Sequence, residues 1–422
     1  MNVLMLTPQF PWPTHQGTTL RNYNLIKGLA QNHEVHLFSI LAPGDRPDSG
    51  PVRDLTASVT TAPQVLRSAG HRLLTLATSL EPDMAWRLWS PDIARQLAML
   101  VSDLRPDILQ IEGIEMAPYF FALRQMGVSY GLAIYDAHNA ETLLQWRAAQ
   151  ADVRRPRRWA AALYSAIQSA KLRRYERQLL QTVDGVAAVS DPDARFLRSL
   201  ASDVPIEVVT NGVDLSFYQV DDPGPPIFDT PGPHLVFTGK MDFRPNVDAA
   251  LWFAAEVMPK LRAQGLTVHF WVVGRNPHQR LSALADRDDV TVTGEVPDVR
   301  PYIVQADVYV VPLLAGGGTR FKILEALALA KPVVSTSLGA DGIPVQDDVH
   351  LALADDPETF AGKIIRLLGE RSIAEEMGRR GRLFIQQDFS WDTIVPRLEN
   401  LYQSSTVNVA KRFAKPPGVV EN

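Results

Sequence analysis

Apolar residues in the first half of the chain gather into short continuous runs. Longer stretches with helical spacing separate them. Residues 2–7 (NVLMLT) form the first run, and 34–40, 107–111, 132–135, 185–189 and 206–209 repeat the form. A run of this length without polar alternation reads as a strand buried on both faces. The first intervening helical stretch runs from Gly17 to about residue 31, after a Pro-rich loop. Strand and helix in alternation predict a parallel sheet with helices on both sides.

The pattern then restarts. Residues 222–233 (DPGPPIFDTPGP) are rich in Pro and Gly, the composition of a linker. A second series follows, with strands expected at 234–238, 267–273, 290–293, 307–311 and 332–335. Its helices are expected at 246–264, 320–330 and 357–368, and residues 372–402 are helical in pattern. The economical reading is α/β with two Rossmann-like domains, residues 1–215 and 216–385. A helix over 386–402 crosses back to pack on the first domain, and 403–422 form a disordered tail.

Composition narrows the function. With 42 Lys and Arg against 47 Asp and Glu, the net charge of −5 argues against a nucleic-acid binder. A hydrophobic share of 46% and a charged share of 21% belong to a core-forming protein. The chain has no Cys, which excludes disulfides, thiolate metal sites and cysteine nucleophiles. The first ten residues carry no basic segment or cleavage signal, and no apolar run reaches the length of a membrane helix. A cytoplasmic protein is expected, at most peripheral to a membrane. One stretch departs from the charge balance: residues 147–177 hold nine basic residues against two acidic ones, with Trp146, Trp159 and Tyr164 nearby or interleaved. It reads as a solvated helical face, or as a surface for an anionic membrane or a phosphate-bearing acceptor.

The segment AGGGTR, residues 315–320, follows a strand and opens a helix. Backbone N–H groups and the helix dipole favour an anion at such a junction, and Gly316, Gly317 and Gly318 let it approach. Arg320 and Lys322 oppose the dipole unless an anion lies between. A tight turn with surface charges is the plainer alternative. Glu325, on the same helix, would suit a hydroxyl pair rather than a phosphate, or be an ordinary helix glutamate. Gly17 and the segment GKMDFRPN, with Lys240 and Arg244, mark two more strand–helix junctions. His138, in DAHN after the strand GLAIY, is a cap or core residue or a donor to substrate. The other histidines have no metal-ligand spacing, and neither HExxH nor GxSxG occurs.

Taken in order, these segments resemble the retaining GT-B glycosyltransferases of glycosyltransferase family 4, also called glycosyl transferases group 1. The resemblance runs through TPQFPWPTHQGTTLRNYNLIKGL, DAHNAET, VVTNGVDLSFY, FTGKMDFRPNVDA, WVVGRNP, VTGEVPDVRPYIVQADVYVVPL and GGGTRFKILEALALAKPVVSTSLGADGI, to about residue 400. It implies two Rossmann-like domains facing across a cleft. The second mainly holds a nucleotide-sugar donor, and the first an acceptor. Glu325 matches the second glutamate of the family's E-x7-E motif, which binds the donor ribose, and Gly317 stands where the first would be. Lys240 resembles the family's phosphate contact after the strand-ending glycine, with Arg320 and Lys322 able to supply further charge. His138 resembles the histidine beside the transferred sugar, and Gly17 the glycine that lets the first loop approach the diphosphate.

The resemblance thus implies hexose transfer from a nucleoside-diphosphate sugar to an acceptor hydroxyl, with retention, in cell-surface polysaccharide or glycolipid assembly. The acceptor would be a sugar or a lipid-linked sugar. No metal and no other cofactor are expected. The rivals are a nucleotide-sugar epimerase or phosphorolytic enzyme of the same fold, and a non-catalytic nucleotide-binding scaffold.

Overall fold

The computed structural model describes residues 1–14, 16–47, 50–68, 75, 78–153, 159–219, 224–315 and 320–414. The chain divides into two compact units, one of residues 1–210 and 394–422, the other of residues 211–393.

Unit 1 is built on seven parallel strands in the order β3-β2-β1-β4-β5-β6-β7. They are β1 (Asn2–Thr7), β2 (Glu34–Leu41), β3 (Ser58–Pro63), β4 (Ile108–Glu112), β5 (Leu132–Ala137), β6 (Gly185–Ala188) and β7 (Ile206–Val208). Unit 2 has six parallel strands in the order β10-β9-β8-β11-β12-β13. These are β8 (His234–Thr238), β9 (His269–Val273), β10 (Val290–Gly294), β11 (Val308–Val311), β12 (Val333–Ser335) and β13 (Ala352–Leu353). Central strands such as VLML in β1 and VYVV in β11 are fully buried, as two-sided helical cover requires.

Strand order reverses between β1 and β4 in the first sheet and between β8 and β11 in the second. In a doubly wound sheet, ligands bind outside the carboxyl ends of the strands at such a reversal. The helix after β1, α1 (Gly17–Leu29), therefore starts at one switch point. The helix after β8, α2 (Arg244–Trp252), and the helix after β11, α3 (Phe321–Ala328), start at the other.

The expected helix over 246–264 is present, interrupted by a π turn at Phe253–Val257. Pro259 lies just past it, has no N–H and crowds the carbonyl one turn back, which accounts for the wider turn. The last helix, α4 (Trp391–Ala414), belongs to unit 1 from Ile394 onward. It continues past residue 402, where the tail was expected to be disordered. Ser405 is fully buried, and a side chain at Gly185 of β6 would meet Ser405 and Leu401, so packing extends the helix beyond its apolar pattern. Residues 415–422 lie outside the described residues.

Candidate active site

At the switch point of unit 1, parallel pairing of β4 with β5 sets Glu112 beside Asp136. Both carboxylates are fully buried. Arg21 of α1, 1% exposed, reaches Asp136 with a two-pronged pair: Nε donates to Oδ2 at 2.9 Å and a terminal nitrogen to Oδ1 at 2.8 Å. Its other terminal nitrogen donates to the Thr210 carbonyl at 3.0 Å. His138, just past β5, places Nε2 2.9 Å from Glu112 Oε2. The second Glu112 oxygen accepts from the Gln110 amide, whose own oxygen accepts from the Tyr402 hydroxyl of α4. Gly113, at φ 76°, leaves room for the ring: a Cβ there would stand 3.2 Å from His138 Nδ1.

Charge follows from this packing. Burial, then the Asp136 charge, raises the Glu112 carboxyl above its ordinary value, with His138 and Arg21 acting against them. Burial lowers the His138 imidazole, but the Glu112 hydrogen bond and the two carboxylates outweigh it, and the net shift is upward. Glu141, buried at the start of the following helix, is pushed up to about 8 by burial first and Glu115 second.

Among the described residues, Glu112, Asp136 and His138 are the group whose metal-ligating atoms come together, all within 4.8 Å of one another. Both Asp136 oxygens already accept from Arg21, and both Glu112 oxygens accept from Gln110 and His138. Every carboxylate oxygen of the group is thus engaged in a hydrogen bond within the network.

The second switch point gathers Lys322, Asn246 and Glu325. Lys322 Nζ on α3 donates to Asn246 Oδ1 on α2 at 2.8 Å and sits 4.4 Å over the Phe237 ring of β8. The Asn246 amide in turn donates to the Lys240 carbonyl at 2.9 Å. Gly239 is needed here, because a Cβ would come within 2.8 Å of the Asn246 amide and 3.1 Å of Lys322 Nζ. Glu325, one turn along α3 from Lys322, accepts from the Tyr218 hydroxyl. Burial lowers Lys322 to about 7, with Glu325 opposing and Arg320 assisting the fall. Burial raises Glu325, against the Tyr218 hydrogen bond and the Lys322 charge. A lysine so poised regains its proton when an anion arrives.

Of the sequence-predicted residues, Lys322 and Glu325 therefore meet on one helix, and Arg320, 6% exposed, immediately precedes it. Lys240 instead projects outward, its side chain 53% exposed and 3.4 Å from Asp242. Gly17 opens α1 in unit 1. Gly316, Gly317 and Gly318 lie outside the described residues. Sequence reasoning missed Arg21, Gln110, Glu112, Asp136, Tyr218 and Tyr402. A signal existed in β4, where Gln110 and Glu112 put two polar residues on one face of a fully buried strand.

The Glycosyltransferase Family 4 model matches residues 16–217, and the Glycosyl transferases group 1 model matches residues 232–370. Together they match most of the chain, in the order of its two units. The chain belongs to the family 4, group 1 glycosyltransferases.

This glycosyltransferase is 25% identical over 247 residues to the lipopolysaccharide core biosynthesis mannosyltransferase LpcC of Rhizobium leguminosarum bv. viciae, covering 54% of this chain and 67% of that one. It is 27% identical over 244 residues to a phosphatidyl-myo-inositol mannosyltransferase of Mycolicibacterium smegmatis, covering 55% of this chain and 59% of that one. Only part of the length of either relative is thus matched.

Among solved structures, the sucrose-phosphate synthase of Thermosynechococcus elongatus aligns at a TM-score of 0.69 and 18% identity, over 96% of this chain and 99% of that one. Anabaena HepE in complex with UDP and glucose aligns at 0.61 and 14%, over 96% and 100%. At these identities the likeness shows the fold, which is GT-B.

Proposed function

We propose that this glycosyltransferase moves a hexose from a nucleoside-diphosphate sugar to an acceptor hydroxyl, with retention of anomeric configuration, in polysaccharide or glycolipid assembly. The observation that carries the donor reading is the Lys322–Asn246–Glu325 cluster at the β8/β11 switch point. Lys322 and Arg320 offset the charge of the diphosphate, and Glu325 takes the ribose hydroxyls, which a carboxylate already held by a Tyr hydroxyl suits. Lys240, exposed beside Gly239, and the loop of Gly316, Gly317 and Gly318 complete the donor contacts. In unit 1, Gly17 leaves the start of α1 open to the diphosphate, and His138 donates to the transferred sugar. HepE, of the same fold, is bound to UDP and glucose, and two of the named relatives transfer mannose, which supports this class of donor.

The chemistry is charge separation. As the C1–O bond to phosphate breaks, negative charge grows on the diphosphate and positive charge on the sugar. Fixed cations and N–H dipoles at the diphosphate favour that change. The acceptor oxygen attacks C1 from the face the phosphate leaves, and its proton passes to a phosphate oxygen. No metal ion takes part. On the acceptor side, residues 147–177 offer a cationic, aromatic stretch to an anionic membrane surface carrying a lipid-linked acceptor.

The test is a panel of UDP- and GDP-sugars assayed for transfer and slow hydrolysis in the presence of a chelator, with nucleotide affinity measured by calorimetry. Lys322→Ala and Arg320→Ala should each weaken UDP or GDP binding by about 1.5–3 kcal/mol, the range for a hydrogen bond to a charged group, without unfolding the protein. Unchanged affinity in both variants overturns the donor site. Binding without turnover favours a scaffold, epimer formation without acceptor an epimerase, and loss of activity on chelation a metal.

A further inference from the structure

Glu112 is fully buried, ends a central strand and touches His138, yet the reaction proposed above gives it no part. Its surroundings are specific. Arg21 turns two of its nitrogens to Asp136, so that pair is balanced within itself. The two Glu112 oxygens meet an amide, from Gln110, and an imidazole, from His138. A buried carboxylate met only by neutral donors is costly, whereas a protonated imidazole makes the contact a charge-assisted pair. The cluster of two carboxylates and one arginine is balanced when His138 carries a proton.

The geometry also sets which nitrogen is free. Nε2 is committed inward to Glu112. Nδ1 borders the space that a side chain at Gly113 would fill, and no hydrogen bond within the cluster engages it. Gln110, anchored by Tyr402 of α4, fixes the other Glu112 oxygen and so the carboxylate plane.

We propose that Glu112 is a positioning residue for the transfer reaction: it turns His138 Nε2 inward and keeps the ring protonated, so that Nδ1–H is the donor to the transferred sugar. This rests on the glycosyltransfer reading only in placing substrate at Nδ1. The other charged groups around the ring act in both directions. Asp136 favours the proton and Arg21 opposes it. Glu115 Oε2 borders the same space beside Gly113 as Nδ1, a Cβ there standing 3.1 Å from it, and the Glu115 carboxylate is 3.7 Å from Arg87. Glu141 holds its own proton up to about 8, so it adds little charge at neutral pH.

The experiment uses full-length protein with isotope-labelled histidine, the His138 signal being assigned from its loss in His138→Asn. In the wild type, His138 should titrate with a midpoint above 6.5. In Glu112→Gln, which keeps the shape and removes the charge, the midpoint should fall by about one unit, a tenfold change in proton affinity. With the sugar nucleotide found by the panel, Glu112→Gln should lower kcat about tenfold at pH 8 and less at pH 6, with donor KM unchanged. Glu112→Asp should restore part of the rate.

A wild-type midpoint at or below 6.5 overturns the proposal and needs no variant, so a misfolded Glu112→Gln does not rescue it. An unchanged midpoint in a folded Glu112→Gln overturns it as well. A protonated His138 in a protein that turns over no sugar nucleotide overturns the transfer reading, and the positioning role of Glu112 falls with it.

Discussion

Lys322 shows how one residue carries both the cost and the use of the donor site. An unfolded chain holds this lysine's proton to about pH 10.5, and the folded one to about 7. Between those values the unfolded state binds more protons, so this residue alone makes stability rise with pH from about 7 to 10. On the proposed function, a bound diphosphate would reverse the local preference and call the proton back. Nucleotide affinity should therefore fall above pH 7, by at most about tenfold per pH unit, the limit for uptake of one proton. Calorimetry of UDP or GDP at pH 8 in two buffers of different ionisation heat should show proton uptake, and Lys322→Met should abolish it. Identical heats in the two buffers would show that Lys322 does not meet the anion. Lys322 and Glu325 were readable as candidates because a Gly-rich turn opens their helix, with cations in its first turn and a carboxylate following on the same helix. Their partners were not, since Asn246 and Tyr218 come from segments more than seventy residues away in sequence.

At the scale of elements, strand positions followed from apolar runs to within two residues, because strands buried on both faces are predominantly apolar. The exceptions lie where burial is one-sided or brief. The segment SVTTAP of β3 is an edge strand paired only with β2, with a single buried residue, and so has no continuous run to read. β13 is two residues long and also sits at an edge. The loop that presents Lys240 and Asn246 depends on a contact no pattern discloses: the glycine after β9, Gly274, lies so close to the Gly239 carbonyl that a Cβ would stand 1.7 Å from it. Gly274→Ala must push the β8 and β9 ends apart. We expect a loss of stability of about 1–3 kcal/mol, the usual cost of overpacking, with weakened nucleotide binding in the protein that remains folded. Denaturant titration with and without UDP measures both. A variant with wild-type midpoint and wild-type affinity would mean that the loop yields at no cost.

For the molecule as a whole, the open question is what holds it near its acceptor. Among the described residues no helix is long and apolar enough to cross a membrane. The helices Glu141–Val153 and Trp159–Leu180 carry large apolar side chains in water: Trp146 is 49% exposed, Trp159 63% and Leu163 64%, with Val153 and Ile167 also exposed. Residues 147–177, which span most of both helices and the segment between them, have a net charge of +7, in a chain whose total is −5. Arg154, Arg155, Arg157 and Arg158 lie outside the described residues, so their part is argued from charge alone. Apolar rings among basic residues suit the headgroup region of an anionic bilayer, where each basic residue contributes about 1 kcal/mol. Changing those four arginines to Ser should then weaken partition onto anionic vesicles by up to about three orders of magnitude, since 1.4 kcal/mol is tenfold. Trp159→Ala should weaken it further at high salt, where screening has already reduced the charge contribution. In co-sedimentation with phosphatidylglycerol-rich vesicles, wild type should pellet at low salt and the four-fold Ser variant should stay in solution. Neutral phosphatidylcholine vesicles should retain neither protein. Wild type left in the supernatant with anionic vesicles at low salt would remove the membrane from the proposal and leave a soluble acceptor, with the donor site unaffected.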